Sequence, residues 1–170
     1  MLEYLYPLRT YLIVSGSDKP NVMTADWVVP LSFDPPMLGV AIGHKRYTHK
    51  LIREFQEFVV SVPTLELLKD VWIAGTISGA KEDKIRKMSL TLINSKKVRV
   101  PSIKECQANI ECRLVKEVET GDHTFFVGEV VEATPGDAFI HGKPDLNYRF
   151  IMHAGFGKRF TTNSGETYEP

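Results

Sequence analysis

Between Ala108 and Leu114 the chain alternates: Ala108, Ile110, Cys112 and Leu114 stand opposite Asn109, Glu111 and Arg113. A period of two is the period of a pleated strand, and it predicts a strand with one buried face. Gly121-Asp122-His123 supplies turn residues, and Thr124 to Glu132 reads as a second strand beyond it. The two runs predict a long antiparallel hairpin.

Much of the remaining chain carries the same signal. Leu8 to Val14 is rich in β-branched and aromatic residues and stops at the turn cluster Ser15-Gly16-Ser17-Asp18. Val22 to Leu31 reads as one strand centred on Trp27, Val28 and Val29. Ser32-Phe33-Asp34-Pro35-Pro36 punctuates it, because proline cannot donate to a ladder and restricts the residue before it. Met37 to Ile42 and Glu57 to Val62 are further short strands, the latter ended by Pro63. The period changes at Tyr47 to Phe55, where Leu51, Ile52 and Phe55 predict a helix with Thr48 as its N-cap. Thr64 is expected to cap a second helix with Leu65, Leu68 and Trp72 on one face. Gly75 and Ser78-Gly79 should break it, and Lys81 to Met88 should resume as a short charged helix.

Many strands and few helices predict a mainly β barrel or sandwich rather than a doubly wound α/β sheet. A closed barrel also removes exposed strand edges, with helices over its ends or sides. No repeat or linker interrupts the chain, so residues 1–170 are expected to form one domain. The tail from Gly155 to Pro170 is too poor in apolar residues to fold alone and should lie over another surface or fray.

Composition excludes several functions. With 43% hydrophobic and 25% charged residues the chain is of ordinary globular make-up. Its 21 basic and 21 acidic side chains cancel, which argues against a nucleic-acid surface. The basic cluster Lys96, Lys97 and Arg99 reads as a solvated strand end. No segment reaches the roughly 18–20 apolar residues of a membrane span. Met1 to Leu8 lacks the basic and apolar regions of a signal peptide, so a cytoplasmic location is expected. Cys106 and Cys112 are read onto one strand, roughly 20 Å apart and beyond disulfide reach, as buried free thiols.

Several familiar site motifs are absent. No G-x-G-x-x-G follows a strand, and Gly75 to Glu82 has Ala80 and Glu82 where a P-loop needs glycine and a hydroxyl. No G-x-S-x-G elbow occurs. His44 and His49 have the wrong spacing for one helical face and no third metal ligand. Arg46-Tyr47-Thr48 precedes a helix whose first amides and dipole favour phosphate, although a capped surface helix has the same pattern. Ser78-Gly79 offers small residues before another expected helix start, with Lys84 as a mobile counter-charge. Asn21 to Trp27 alternates Thr24 and Asp26 with Ala25 and Trp27, which suits either a flat aromatic ligand or a half-buried strand with a core tryptophan.

Taken in order, these segments resemble the flavin reductase-like, flavoredoxin-type family. The resemblance runs through Asn21 to Trp27, Pro30 to Pro36, Arg46-Tyr47-Thr48 and Glu57 to Pro63. It continues through Ser78-Gly79 with Asp83-Lys84, Ile110-Glu111-Cys112, Gly121-Asp122-His123 and Gly128-Glu129-Val130. It implies an antiparallel Greek-key split β-barrel with a few short helices, dimeric, with FMN near the subunit interface. Carried over, Thr24, Ala25, Asp26 and Trp27 would border the isoalloxazine, and His123 would stand near the flavin or nicotinamide. Ser32, Arg46, Thr48, Ser78, Gly79 and Lys84 would approach the ribityl phosphate. Asp26 departs from the neutral residue of some relatives; it would bond the flavin N3–H or tune its potential.

The function expected from this is an NAD(P)H-dependent flavin oxidoreductase, with NADH or NADPH as reductant and no catalytic residue beyond the flavin itself. An electron carrier reduced by a partner is the alternative, and a barrel without flavin the third. The acceptor is expected to be a small molecule or a redox protein, with no nucleic acid, membrane or metal involved.

Overall fold

The computed structural model describes residues 1–155 and 157–168. In chain order come β1 (Leu8–Arg9), β2 (Tyr11–Ser15), β3 (Asn21–Ala25), β4 (Val28–Phe33) and β5 (Pro36–Gly43). Helix α1 (Tyr47–Phe55) leads to β6 (Glu57–Ser61), and a 3-10 turn at Leu65–Leu67 leads to helix α2 (Leu68–Thr76). Then follow β7 (Leu92–Ile93), β8 (Ser102–Ile103), β9 (Ala108–Thr120) and β10 (His123–Pro135). The short strands β11 (Phe139–Ile140), β12 (Lys143–Pro144), β13 (Ile151–His153) and β14 (Phe160–Thr162) come last.

Seven strands form the main sheet in the order β3-β2-β6-β9-β10-β5-β4, every neighbour antiparallel. The edge strands β3 and β4 are separated in the chain by Asp26 and Trp27 alone. Three residues span at most about 11 Å, so the sheet must curl until its two edges nearly meet. No ladder joins them among the described residues, and the barrel stays split along that seam. The fold is thus the mainly β, antiparallel split barrel that the resemblance implies.

Alternation decides what each face of the strands does. Ile13, Met23, Val40, Phe58, Val60, Cys112 and Phe126 pack inside the barrel, with Ile52 of α1 against them. The opposite faces are also buried: Leu12, Val14 and Val59 pack with Val71 and Ala74 of α2 and with Val100 and Ile103. Burial on both faces is why β2 and β6 read as almost continuous apolar runs. Gly128 of β10 is required by this packing, since a Cβ there would lie 2.6 Å from the Phe58 ring.

Several expectations are corrected. The run Val22 to Leu31 is two strands, because the chain must cross the seam at Asp26-Trp27. Leu8 to Val14 also divides: β1 pairs with β13, while β2 joins the barrel. Helix α2 runs through Gly75, and the expected helix at Lys81 to Met88 is only a 3-10 turn at Lys84–Lys87. Thr48 is not the N-cap of α1 but its second residue, fully buried; Arg46 occupies the cap position.

Strand β9 buries two residues of its polar face, Asn109 and Glu111, while Arg113 on the same face is exposed. The Glu111 carboxylate accepts hydrogen bonds from the backbone N–H groups of Lys96, Lys97 and Val98 at 2.9, 2.7 and 3.2 Å. Asn109 exchanges hydrogen bonds with the Ile103 backbone. The Lys96–Arg99 cluster is therefore a loop folded over this strand, not a strand end. Cys106 precedes β9 rather than lying on it, and both cysteines are free and buried, with thiol pKa values raised by burial.

The β9–β10 hairpin turns at Gly121-Asp122, with Gly121 at φ +64°. In the tail, β14 pairs with β13 of the same chain; Phe156, Glu169 and Pro170, which belong to the expected extended tail, lie outside the described residues. Among those described, no helix is long and apolar enough to cross a membrane.

Candidate functional site

Along the seam lie two cavities that share Met23 and Arg46. The first, of about 110 Å³, sits between the N-terminus of α1, the start of β3 and the turn after α2. Its charged lining is Lys45, Arg46 and Lys84, and among the described residues no carboxylate lines it. Asn21, Tyr47, Thr48, Thr76 and Ser78 add polar side chains, with Gly79 beside them. The first amides of α1 also belong to this end, and together with the cations they make it a site for an anion.

Lys84 is buried at 3% exposure, and its Nζ donates to the carbonyls of Ala74 and Ile77 at 2.7 and 2.9 Å. It thereby satisfies carbonyls that the end of α2 leaves open. The expected mobile counter-charge is a fixed one. An ammonium has three donors, so one remains beyond these two bonds. Burial, and next the positive charge of Arg46, lower the Lys84 pKa to about 8. Ser78 and Gly79 act without a helix of their own: they form a turn in which Ser78 O accepts from the N–H groups of Lys81 and Glu82.

Asn21 is also 3% exposed. Its Nδ2 donates to Thr48 Oγ1 at 2.7 Å, while its Oδ1 is buried without a hydrogen bond. Gly79 lies against that oxygen; a Cβ there would come within 2.1 Å of it.

The second cavity, of about 170 Å³, is walled by Tyr6, Thr24, Ala25, Asp26, Trp27 and His123, with Ala41 to Gly43 beneath. The Trp27 and His123 rings lie 4.8 Å apart at 36°. His123 is the first residue of β10, and its Nδ1 is 2.7 Å from Asp122 Oδ1. Asp26 is held from behind: Oδ1 accepts from the Thr10 hydroxyl at 2.8 Å, and Oδ2 lies 2.7 Å from His153 Nδ1. These partners account for the acidic residue without a ligand and fix its carboxylate at the seam. A third cavity opens on the other side of Thr24 and Asp26, between Trp72, His153 and Phe160.

Arg46, Thr48, Ser78, Gly79 and Lys84 are thus brought together in the first cavity, and Thr24, Ala25, Asp26, Trp27 and His123 in the second. Ser32 lines neither; it stands on β4 opposite Met37. The sequence reading missed Asn21 as a lining residue of the first cavity and His153, Trp72 and Phe160 as lining residues of the third. Asn21 already headed the motif, but only its burial marks it out. The others come from α2 and from a tail without periodicity. His44 and His49 take other partners: His44 pairs with Glu119 at 2.9 Å, and His49 Nε2 is 2.8 Å from the Thr124 hydroxyl.

The flavin reductase like domain family matches residues 4–150. An uncharacterised protein of Archaeoglobus fulgidus is 77% identical over 170 residues, covering 100% of this chain and 96% of that one. A ferric-chelate reductase (NAD(P)H) of the same organism is 31% identical over 125 residues, 72% of this chain and 73% of its own length. Among solved structures, an FMN-binding protein from Thermus thermophilus with bound 1-cyclohex-2-enone superposes with a TM-score of 0.91 at 26% identity. That match covers 100% of this chain and 94% of the other. Flavoredoxin from Methanosarcina acetivorans gives 0.86 at 30% identity, over 98% and 89% of the two chains.

Proposed function

The chain belongs to the flavin reductase-like family, and we propose that it binds FMN along the seam and passes electrons from NADH or NADPH to an acceptor. One observation carries this reading. A pocket with three cations and, among the described residues, no carboxylate continues past Arg46 into a cavity with aromatic walls. A phosphate on a flat, polar-edged ring matches both halves.

In this reading Arg46, Lys84, Thr48, Ser78 and Gly79 hold the ribityl phosphate, with Arg46 at the junction to the ring. Thr24, Ala25, Asp26 and Trp27 border the isoalloxazine, and His123 covers its far side beside Trp27. When bound, the flavin supplies the hydride and electron chemistry, so the protein needs no nucleophile of its own. Asp26 fixes the seam through Thr10 and His153 and places a carboxylate beside the ring cavity. Trp27 and His123 exclude water from it.

The outer face of the barrel supports a homodimer with the flavin near the interface. Val29, Leu31 and Phe33 on β4 and Val115 and Val118 on β9 are exposed. Phe125 lies across Gly39, where a Cβ would come 1.9 Å from its ring, so the glycine lets the ring lie flat on this face. Exposed apolar surface of this kind marks an association site. Ser32 stands on the same edge strand. Reduced, buried thiols suit a cytoplasmic setting.

The similarity to flavoredoxin supports a second reading, a carrier reduced by a partner protein. Anaerobic addition of NADH or NADPH to the FMN-loaded protein distinguishes the two. Rapid bleaching of the visible flavin band is expected of a reductase. A band that stays unchanged until a reducing partner is added would favour the carrier, and protein that takes up no FMN would defeat both.

A further inference from the structure

Helix α2 and the β13–β14 pair enclose a groove that FMN binding along the seam leaves unused. Its inner part is the third cavity, of about 170 Å³, which ends on Thr24 and Asp26. Its outer part, of about 360 Å³, is lined by Leu68, Trp72 and Phe160 and by the exposed Lys69 and Lys158. Trp72 and Phe160 line both parts and make them one groove. The outer part alone falls in the roughly 300–1,000 Å³ range of small-molecule sites.

Its rings suit a flat guest. Phe160 lies nearly parallel to the His153 ring at 4.9 Å and 22°, and Trp72 stands across Phe160 at 86°, with centroids 6.3 Å apart. A planar ring in that corner can stack on one and meet the other edge to face. Trp72 belongs to none of the apolar clusters of the described residues, and among them its indole N–H has no hydrogen-bond partner. The charge at the mouth is of one sign. Lys158 Nζ is 5.4 Å from the Trp72 ring centroid, and neither it nor Lys69 has an ion-pair partner among the described residues. Nor does any described carboxylate line the outer part. An ammonium held only by an aromatic face gains a stronger, charge-assisted bond when a carboxylate arrives. A hydride donor does not fit here. It must touch the flavin ring, whereas Thr24 and Asp26 stand between this groove and the ring cavity.

We propose that the groove is a second ligand site, separate from the flavin cavity, for a small aromatic carboxylate. Its ring lies against Trp72 and Phe160, and its carboxylate meets Lys158 and Lys69.

The test titrates 2-naphthoate and the neutral 2-naphthamide into the full chain by calorimetry, with and without saturating FMN. Wild type is expected to bind one 2-naphthoate per chain in the presence of FMN, and 2-naphthamide at least about fivefold more weakly. Trp72→Leu should weaken 2-naphthoate at least about tenfold. Lys69→Gln with Lys158→Gln should erase the preference for the carboxylate and leave 2-naphthamide within about twofold. Both lysines are on the surface, so this variant keeps the test intact should Trp72→Leu fail to fold. Displacement of 2-naphthoate by FMN, or its loss in Arg46→Ala rather than in Trp72→Leu, would put the anion in the flavin site. That result would overturn the second site and leave the FMN reading standing. Equal binding of the two probes by wild type, or no saturable binding, would also overturn it. Protein that binds 2-naphthoate as expected but takes up no FMN would keep the groove and defeat the FMN reading.

Discussion

Lys84 combines two tasks in one side chain, closing the end of α2 and presenting charge to the pocket. Its pKa of about 8 lies below the ordinary lysine value because of burial and the neighbouring Arg46 charge. Between that value and the unfolded one the folded chain holds fewer protons than the unfolded chain. The contribution of Lys84 to stability therefore rises with pH across this window, and the cost of burying the charge is fully present below it. A phosphate dianion acts in the opposite direction and pulls the pKa back up. Phosphate-dependent affinity should then fall as pH rises through about 8, as the ammonium loses its proton in the free protein. The ratio of riboflavin to FMN dissociation constants, measured from about pH 7 to about 9.5, should decline above about 8. A flat ratio would remove Lys84 from the phosphate site.

Elements set by local pattern were legible, and those set by distant partners were not. Helix α1 spans Tyr47–Phe55 as its apolar spacing predicts, and the β9–β10 hairpin turns where Gly121-Asp122 suggests. Asp26-Trp27 carries no glycine or proline, so the break between β3 and β4 had no local mark. It comes from barrel closure and from Thr10 and His153, partners 16 and 127 residues away. Site residues followed the same rule: the motif named Arg46, Thr48, Ser78, Gly79 and Lys84, whereas only burial identifies Asn21. Glu111 is the extreme case, a strand residue that reads as solvated yet is 1% exposed and pins the Lys96–Val98 loop. Glu111→Ala would strand three backbone donors at a cost of at least about 3 kcal/mol, lowering Tm by roughly 6–12 °C. Glu111→Gln, which keeps one acceptor, should lose less. A melt of Glu111→Ala within about 2 °C of wild type would show that the loop does not depend on this carboxylate.

At the scale of the molecule, a curled sheet whose edges nearly touch places a cationic pocket and an aromatic cavity side by side. Beside them is an outer face with Phe33 fully exposed. Sedimentation should give a mass near twice the 19.2 kDa of the chain. Val29→Asp with Phe33→Asp should yield monomers, since paired charges on an apolar contact oppose association. Wild type that sediments as a monomer while holding FMN would contradict the interface placement. FMN binding turns on the cationic end of the cleft. Isothermal titration of the flavin-free protein with FMN and riboflavin, repeated on Arg46→Ala, tests it most directly. Saturable binding of one FMN per chain is expected, with riboflavin weaker by at least about tenfold and that difference largely lost in Arg46→Ala. Equal affinity for the two flavins, or no binding of either, would contradict it.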